Sequence, residues 1–399
     1  MILRKTYIEQ IKQFIDVPII KILCGVRRSG KSTILEMIKK EIKDNRGVKE
    51  SNIISRKYND IEFDGMNYKE MYKDLDKNIS GKGKFYLFLD EVQEVENWEN
   101  VINDIFEKYN VDIYLTGSNS KLMSSEISTY LTGRFVSIPI FTLSFEEFIE
   151  FKKLENKDIK FAFSEYLTLG GFPLIALANL NTKGAYLVAE GIYSTVITKD
   201  IAKRHNIKNQ ELFDRVVRYI IENVGKTFSS NSIVKYLKNE NRSISVENIY
   251  NYIKYLEEAF IIYPCSRYDL KGKSVLKTQE KYYLSDISIK YSKFGFLPTM
   301  ISSMLENIVF LELKRRGYDV FIGKYQNKEI DFVAIKREDK IYIQVCRNIP
   351  ENSEREIQNL KDLKDHYHKY VVTLDEYAKG NIDGIEIIHI TDFLLKEGY

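Results

Sequence analysis

The chain has 399 residues, of which 44% are hydrophobic and 29% are charged, and it carries a formal net charge of +3 at pH 7. Such a composition is typical of a folded protein with roughly two to four domains. No apolar run approaches the roughly 20 residues of a membrane span, and the amino terminus lacks the apolar region of a signal peptide. The three cysteines are scattered, which suits a reducing compartment and excludes a cysteine metal cluster. We therefore expect a cytoplasmic protein without a membrane partner.

A phosphate-binding loop is predicted at residues 25–32, where an apolar run typical of a strand is followed by helical spacing. Gly25 and Gly30 allow the backbone to turn around a phosphate at the positive end of the next helix. We expect Lys31 to reach the terminal phosphates and Ser32 to bind Mg²⁺ through its hydroxyl. The residues predicted to hold the nucleotide are Gly25, Val26, Arg27, Arg28, Ser29, Gly30, Lys31, Ser32 and Thr33.

Two acids follow the five-residue apolar run at 85–89 and are predicted to complete the site. A continuous apolar run is typical of a central parallel strand, and nucleotides bind at the carboxyl ends of such strands. We expect Asp90 to hold the Mg²⁺ shell and Glu91 to orient and deprotonate the attacking water. Together with the phosphate-binding loop, these acids predict that the chain binds ATP or GTP with Mg²⁺, and we expect ATP.

Strands alternate with helices through the first 150 residues. Further strands are predicted at 52–58, 111–116 and 134–140, and helices at 66–79 and 97–109. This alternation predicts a three-layer α/β domain with a parallel sheet. Ser118 and Asn119 follow the fourth strand, where a hydroxyl or an amide can sense the γ-phosphate; the alternative is an ordinary Gly-Ser turn. Gln93 is a candidate for linking the nucleotide state to a moving segment.

Five motifs resemble those of a known family: GVRRSGKS at 25–32, LFLDEVQ at 87–93, YLTGSNS at 114–120, TGRF at 132–135 and LSFEEF at 143–148. That family is the AAA+-type P-loop ATPases of archaea and bacteria in which the ATPase module is fused to a carboxyl-terminal domain long of unknown function. Segments at 170–173, 198–201, 281–286 and 305–307 fit the same family, so the resemblance covers nearly the whole chain. The resemblance implies ATPase activity and a P-loop strand near the middle of the sheet.

Three arginines are candidates for acting on the phosphates. Arg27 and Arg28 lie inside the loop, where they would add affinity for a triphosphate or contact an acidic partner; the alternative is that they point to solvent. The resemblance makes Arg134 a candidate arginine finger for its own γ-phosphate or for that of a neighbour in a homo-oligomer. The alternative for Arg134 is a surface or ion-paired side chain.

Residues 161–205 have helical spacing, with a sharp Gly-Gly-Phe-Pro break at 170–173 that suits a hinge in a helical lid. The next segment is predicted to form helices at 212–224, 228–237 and 246–258, followed by strands at 260–263 and 281–284 around a polar, basic loop at 267–281. Three helices and a two-stranded wing make a winged helix-turn-helix, a fold that can place a helix in the major groove of DNA.

Positive charge is concentrated in this part of the chain. Residues 199–281 contain sixteen Lys or Arg and ten Asp or Glu, a surplus of six positive charges. The candidates for contacting nucleic-acid phosphates are Arg267, Lys271, Lys273 and Lys277. The alternative is that the winged helix serves as a lid and a protein-contact surface.

The last hundred residues carry a pattern typical of the restriction-endonuclease-like core. An acid on a helix, an acid entering a strand and a Glu/Gln-x-Lys motif on the next strand hold Mg²⁺ and stabilise the transition state in that core. Glu306, Asp331 and Gln344 match these positions, but Cys346 stands where the lysine is expected. A neutral thiol cannot supply the positive charge, so the sequence predicts a nuclease-like fold with reduced or absent cleavage. Spatial substitutes for the lysine are Lys324, Lys328 and Arg347.

The predicted domains are an AAA+-type ATPase core at 1–150, a helical lid at 151–207, a winged helix-turn-helix at 208–292 and a restriction-endonuclease-like domain at 293–399. The predicted function is Mg²⁺-dependent ATP hydrolysis that controls the downstream domains, which act on nucleic acid in a mobile-element or defence context. The alternative is a regulatory switch of the STAND type that recognises a protein or a signal, turns ATP over slowly and has no nuclease activity. The expected partners are ATP, DNA and, in an oligomer, further copies of the chain.

Overall fold

The computed structural model describes residues 2–80, 82–123, 130–131, 133–155, 157–239, 242–272, 274–349 and 355–399, with the backbone alone at 277–279 and 355–356. The chain forms two compact units, Met1–Thr142 with Glu258–Phe260 and Leu143–Glu257 with Ile261–Tyr399. Among the described residues, no helix combines the length and the apolar character that crossing a membrane requires.

The first unit is built on a five-stranded parallel sheet. Its strands are β1 Ile20–Cys24, β2 Ile53–Lys57, β3 Phe85–Asp90, β4 Val111–Gly117 and β5 Phe135–Pro139. They lie in the order β2-β3-β4-β1-β5, and every neighbouring pair is parallel. The P-loop strand β1 therefore lies between the central strand β4 and the edge strand β5, next to the middle of the sheet, where the resemblance implied it.

Helices connect these strands. They are α1 Lys5–Lys12, α2 Lys31–Arg46, α3 Tyr68–Asn78 and α4 Trp98–Lys108. One face of α2 packs with α1 residues such as Ile11 against apolar residues of the sheet, including Leu23, Phe88 and Tyr114. The helix begins after Gly30 and ends before Gly47, both of which have a left-handed backbone with φ of 101° and 64°. The predicted α/β fold with a parallel P-loop-type sheet is confirmed.

The second unit begins with helices. They are α5 Phe145–Lys152, α6 Ile159–Leu169, α7 Pro173–Leu177 and α8 Thr182–Thr195, followed by a π-helix at Val196–Lys203. The predicted break between α6 and α7 is present, and it is held in place rather than loose. Gly170 has φ of 77°, and a Cβ at this position would lie 2.2 Å from an oxygen of Asp286. The N–H of Gly171 donates to the other oxygen of Asp286 at 2.8 Å, so both glycines allow a close approach that a side chain would prevent.

Three further helices precede a long hairpin. The helices are α9 Gln210–Glu222, α10 Ser230–Asn239 and α11 Val246–Glu258, and the hairpin strands are β6 Ile262–Asp269 and β7 Ser274–Leu284. The sequence predicted a polar loop at 267–281, but most of this segment is paired strand, with Arg267 beside Leu276 and Asp269 beside Ser274. The reason is tertiary, because β6 also pairs with a carboxyl-terminal strand and places Arg267 beside Ile322.

The hairpin thus belongs to the same sheet as the carboxyl-terminal strands. Those strands are β8 Asp319–Tyr325, β9 Lys328–Lys336, β10 Asp339–Cys346, β11 His368–Thr373, β12 Gly380–Ile382 and β13 Ile385–His389. The mixed eight-stranded sheet has the order β12-β13-β11-β10-β9-β8-β6-β7. The accompanying helices are α12 Ser288–Phe294, α13 Ile301–Arg315, α14 Arg355–Lys361 and α15 Ile390–Leu395. The domain boundaries at 150, 207 and 292 remain predictions.

Candidate active site

The loop between β1 and α2 has the backbone shape of an anion-binding turn. Arg28 and Gly30 both have a left-handed backbone, with φ of 67° and 101°. Left-handed residues in such turns direct successive N–H groups into a shared concavity that favours anions. The loop also packs closely on the segment after β5, since a Cβ on Gly25 would lie 2.1 Å from the carbonyl oxygen of Ile140. Glycine is therefore required at position 25 for packing.

Lys31, the first residue of α2, is buried within this loop. Its Nζ donates to the carbonyl oxygens of Gly25 at 3.0 Å and Val26 at 3.2 Å. The same nitrogen lies 3.8 Å from Oε1 of Glu91. The predicted lysine of the phosphate-binding loop and the predicted catalytic acid are thus brought together at the carboxyl end of the sheet.

The predicted magnesium residues are also in contact. Ser32 donates its hydroxyl to Oδ1 of Asp90 at 3.0 Å. The hydroxyl of Thr116, at the end of β4, donates to the same oxygen and accepts the backbone N–H of Glu91 at 3.0 Å. Thr116 therefore positions both acids through one hydroxyl. Sequence reasoning missed it, although a threonine just before Gly117 at the end of a buried strand next to β3 is a usable signal.

Glu91 is held in a defined orientation by the backbone and by two side chains. It has a left-handed backbone with φ of 53°, just before a short 3-10 turn at Val92–Glu94. Its Oε2 accepts hydrogen bonds from the amide of Gln93 and from the hydroxyl of Ser118, the latter at 3.1 Å. The predicted polar residues Gln93 and Ser118 thus meet at Glu91, the carboxylate expected to act as a base.

Burial and neighbouring charges separate the two acids electrostatically. Burial raises the pKa of Asp90, and hydrogen bonds from Thr116 and Ser32 offset only part of this effect. Burial also acts to raise the pKa of Glu91, but the charge of Lys31, assisted by Gln93, Arg27 and Ser118, brings that pKa below its ordinary value. Ionised Glu91 therefore stabilises the fold above its unfolded pKa, and this contribution is lost as pH falls through the folded pKa. At neutral pH the carboxylate is ready to accept a proton.

The other predicted loop residues take different positions. Val26 and Ser29 are buried, Arg27 is half-buried, and Arg28 and Thr33 are exposed. The exposure of Arg28 agrees with the alternative that its side chain points to solvent, whereas the charge of Arg27 acts on Glu91. Asn119 is buried, and its side-chain oxygen accepts the N–H of Lys121 at 2.9 Å, which caps a turn.

Arg134 lies at the amino-terminal ends of the strands, whereas the nucleotide site lies at their carboxyl ends. It immediately precedes β5, whose first residue, Phe135, is beside Ile20 at the start of β1. The phosphate-binding loop follows the other end of β1, roughly 17 Å away at about 3.3 Å per residue. Arg134 instead forms an ion pair with Glu107 at 3.5 Å. The length of β1 that separates Arg134 from the phosphate-binding loop is too long for an arginine side chain to span, so Arg134 does not reach its own nucleotide site. Contact with a neighbour's nucleotide stays a prediction.

Arg4 is a buried arginine that sequence reasoning missed, and it holds the phosphate-binding loop through hydrogen bonds to the backbone. Nη1 of Arg4 donates to the carbonyl oxygens of Ser29 at 2.9 Å and Phe141 at 3.0 Å, and Nη2 donates to that of Thr142 at 3.4 Å. The guanidinium also lies 4.5 Å from the ring centre of Tyr7. Arg4 thus fixes the phosphate-binding loop to the segment after β5. No local sequence pattern marks this role, because all three acceptors are distant in the chain.

Replacing Thr116 with valine tests the arrangement of the two acids. Valine keeps the shape but removes the hydroxyl, leaving the buried N–H of Glu91 without that acceptor. We expect the free energy of unfolding in urea to fall by about 1–3 kcal/mol and ATP turnover to fall with it. Thr116→Ser retains the hydroxyl and is the matched control. Equal stability and turnover in the two variants would show that Thr116 does not position the acids.

The residues predicted for a nuclease-like metal site lie in the second unit. Glu306 is on α13, Asp331 on β9 and Gln344 on β10. Oε2 of Glu306 accepts the hydroxyl of Tyr283 at 3.2 Å and lies 3.6 Å from Nζ of Lys281. Within the described part of the chain, no group of three or more His, Cys, Asp or Glu residues could hold a metal ion. The cation that contacts Glu306 is the ammonium of Lys281.

Lys281 lies beside Glu306 and Glu329, whereas Lys328, one of the predicted substitutes Lys324, Lys328 and Arg347, forms an ion pair with Asp362. Burial acts to lower the pKa of Lys281, but the charges of Glu306, Asp331 and Glu329 outweigh it and raise that pKa. Burial likewise raises the pKa of Glu306, and Lys281 opposes this effect. Lys281 is therefore a charged ammonium inside the cluster. A lone lysine at the start of the apolar run 281–284 was the available signal.

The predicted nucleic-acid contacts are only partly described. Nη2 of Arg267 lies 3.0 Å from Oε2 of Glu329, and the arginine side chain is 15% exposed, so Arg267 is engaged within the protein and its prediction as a phosphate contact is not supported. Lys271 is exposed in the hairpin turn. Lys273 lies outside the described residues, and Lys277 lies in β7 with the backbone alone described.

Comparison with known proteins identifies an AAA domain in the first unit. Residues 18–149 match the model of an AAA domain, a nucleotide-binding ATPase module, and residues 160–299 match a domain of unknown function. The solved Walker-type ATPase paby2304 of Pyrococcus abyssi is similar in fold, with a TM-score of 0.53 at 16% identity, covering 73% of this chain and 95% of that one.

Two relatives are similar over most of their length. An uncharacterized protein of Haemophilus influenzae is 37% identical over 99% of both chains. An uncharacterized protein of Methanocaldococcus jannaschii is 33% identical, covering 94% of this chain and 87% of its own. The chain therefore belongs to the family of AAA-domain proteins that includes these two relatives.

Proposed function

We propose that the first unit binds ATP with Mg²⁺ and hydrolyses it. The observation that carries this proposal is the meeting of Lys31, Ser32, Asp90 and Glu91 at the carboxyl end of a parallel sheet, with Lys31 3.8 Å from Glu91 and Ser32 3.0 Å from Asp90. Four side chains from two segments almost sixty residues apart converge where α/β sheets bind nucleotides. The AAA domain supports the same activity.

The donor set fits Mg²⁺. A serine hydroxyl and a carboxylate are the hard oxygen ligands that Mg²⁺ prefers, and Ser32 and Asp90 would hold the ion together with phosphate oxygens. When bound, the ion neutralises phosphate charge and so favours attack at the γ-phosphorus. The loop amides and Lys31 would bind the phosphates, with Lys31 exchanging its bonds to the loop carbonyls for bonds to phosphate oxygens.

Glu91 would act as the general base. Its ionised carboxylate orients a water molecule and accepts its proton as the water attacks. Ser118 and Gln93 fix the orientation of that carboxylate through Oε2. Gln93 follows β3 and Ser118 follows β4. A movement of the Glu91 carboxylate on hydrolysis would therefore be transmitted to the segments after these two strands.

We further propose that the ATP cycle controls a second unit that acts on nucleic acid. Three helices followed by a hairpin support a winged helix-turn-helix at 208–292, and the mixed sheet with α13 supports a restriction-endonuclease-like fold after it. The surplus of six positive charges at 199–281 supports contact with phosphates. The test is ATP turnover with and without duplex and single-stranded DNA, where stimulation well above the basal rate is expected.

A regulatory switch is the second candidate function. The observation that favours it is the engagement of Arg267 and of the nuclease-like acids in contacts within the protein. Under this alternative the chain would bind ATP tightly, turn it over very slowly and show no response to DNA. The turnover experiment therefore separates the two functions with one protein preparation.

Binding of duplex DNA should depend steeply on salt. We expect affinity to fall sharply between about 50 and 200 mM salt, because several phosphate contacts release counterions. Replacing Lys271, Lys273 and Lys277 together by glutamate should weaken binding further, as measured by fluorescence anisotropy. The matched control makes the same charge change on α3 of the first unit, at Lys69, Lys73 and Lys77. If the affinity for DNA does not change with salt and is the same for the hairpin variant and the α3 variant, the protein-contact alternative is favoured.

Cleavage of duplex DNA is expected to be absent with Mg²⁺ or Mn²⁺, with or without ATP. Cys346 cannot supply a positive charge, and the ammonium of Lys281 is already paired with Glu306 and Glu329. A cation positioned to stabilise developing negative charge is commonly worth about 3–4 kcal/mol, or two to three powers of ten in rate. Supercoiled plasmid provides a sensitive assay, and Cys346→Lys is the variant most suited to restoring a trace of activity. Robust wild-type cutting that disappears in Asp331→Ala would reclassify the protein as an ATP-controlled nuclease.

A further inference from the structure

A buried ionic cluster joins three elements of the second unit. Glu306 comes from α13 and Glu329 from β9, and both carboxylates face Lys281 of β7. Nζ of Lys281 lies 2.9 Å from Oε1 of Glu329 and 3.6 Å from Oε2 of Glu306. Arg267 of β6 adds a second cation, 3.0 Å from Oε2 of Glu329. Each carboxylate in the cluster is thus paired with a cation from the β6–β7 hairpin.

The two other residues of the nuclease-like pattern form bonds to the backbone. The ladder between β9 and β10 runs as far as the pair Phe332 and Ile343. Beyond it, the N–H of Asp331 donates to the side-chain oxygen of Gln344 at 2.7 Å, and the N–H of Val345 donates to Oδ2 of Asp331 at 2.8 Å. Side-chain oxygens therefore replace the ladder where the strands diverge. This structural role explains both residue types without a metal ion.

A divalent cation would meet unfavourable electrostatics in this cluster. Lys281 is only 6% exposed, so its ammonium cannot move into water to make room. Like charges at a few ångströms repel strongly when solvent is excluded. The two glutamates already have the opposite charge that burial requires.

We propose that the ammonium of Lys281 takes the position of a metal ion in this cluster, as a cation tethered to the hairpin. It neutralises Glu306 and Glu329 permanently and clamps β7 to α13 and β9. The second unit therefore folds and functions without a divalent cation, and the nuclease-like acids serve as the anionic half of a structural lock. The proposal rests on the proposed nuclease-like fold only in naming a divalent metal ion as the cation that Lys281 replaces. The ion pairs of Lys281 do not depend on that fold assignment.

The test measures Mn²⁺ binding to the full chain by electron paramagnetic resonance without nucleotide. Wild-type protein and Glu306→Gln should bind the same number of ions, since the cluster holds none in either. Lys281→Met, which removes the charge but keeps much of the length, should bind one more Mn²⁺ per chain than wild type. That additional ion should be lost in the double variant Lys281→Met/Glu306→Gln. Any weak binding at Ser32 and Asp90 is common to all four proteins and cancels in the comparison.

Thermal melting provides a second readout. In EDTA, Lys281→Met should melt several degrees below wild type, and Mn²⁺ should restore part of the loss, whereas wild type should be unaffected by Mn²⁺. Lys281→Arg keeps the positive charge, and it should gain no Mn²⁺ site. If Mn²⁺ stabilises wild type and Glu306→Gln abolishes that effect, metal and lysine coexist and the proposal is wrong.

A folded Lys281→Met that gains no ion would equally contradict the proposal. Should that variant fail to fold, the comparison of wild type with Glu306→Gln still decides whether the native cluster binds metal. ATP turnover is measured separately on the same preparations. If the wild-type protein shows no ATP turnover but the Mn²⁺ measurements agree with expectation, only the proposed ATPase function is contradicted.

Discussion

Glu91→Gln is expected to leave ATP binding intact and to slow hydrolysis at least about a hundredfold, the low end of what a positioned general base contributes. Glutamine has the same shape and can keep a hydrogen bond to Ser118, but it cannot accept a proton from water. The pKa of Glu91 is below its ordinary value, so the wild-type carboxylate is ionised at neutral pH and the substitution removes a real charge. The prediction therefore concerns the chemical step and not the binding step.

The two steps can be measured separately. Binding is followed with a fluorescent ATP analogue, and hydrolysis by phosphate release at saturating ATP. Glu94→Gln makes the same chemical change at an exposed position in the adjoining 3-10 turn, and it should behave as wild type. Wild-type turnover in Glu91→Gln would show that Glu91 is not the base.

The nucleotide site was predictable because its signals are local. β1 and β3 are buried on both faces. β3 is therefore a continuous apolar run up to its acid, and β1 is apolar apart from the buried Lys21, which pairs with Asp112. A loop that needs Gly25 and Gly30, followed at once by Lys31 and Ser32, leaves few alternatives. Parallel order then brings the ends of the strands to one edge, which is why Asp90 meets Ser32 without any pairing information in the sequence.

Contacts that depend on register were not predictable in the same way. Arg134 lies in a motif of the resembled family and was a candidate arginine finger, yet it immediately precedes β5 and so lies at the amino-terminal end of that strand. Arg4 donates to carbonyl oxygens, and a carbonyl group carries no side-chain signal in the sequence. Thr116 supplies a hydroxyl to a neighbouring strand, a role that only the strand order reveals.

The hairpin shows how tertiary pairing overrides local composition. Residues 267–281 are rich in charge, which favoured a loop, but β6 is paired on both sides and β7 extends along it. Charged residues on such strands face partners rather than water, as Arg267 and Lys281 do at Glu329. The sequence could not show that these cations and the carboxyl-terminal acids share one sheet.

Lys31→Ala is expected to abolish nucleotide hydrolysis and to weaken ATP binding by roughly tenfold or more, since buried hydrogen bonds to charged groups contribute about 1.5–3 kcal/mol. The nitrogen that bonds to Gly25 and Val26 in the loop also lies 3.8 Å from Oε1 of Glu91. Removing it takes away the charge that faces the terminal phosphates. It also removes the charge that lowers the pKa of Glu91, so that pKa rises and less of the base is ionised.

Lys31 both faces the phosphates and lowers the pKa of Glu91. Its replacement should therefore reduce turnover more than the replacement of a residue that only binds the nucleotide. Isothermal titration with ATP and Mg²⁺ measures the binding loss, and steady-state turnover measures the hydrolytic loss. Lys40→Ala removes an exposed lysine from the same helix and is the matched control, which should retain both properties. If Lys31→Ala binds and hydrolyses ATP like Lys40→Ala, the loop does not hold the terminal phosphates, and the site at the carboxyl end of the sheet must serve another ligand.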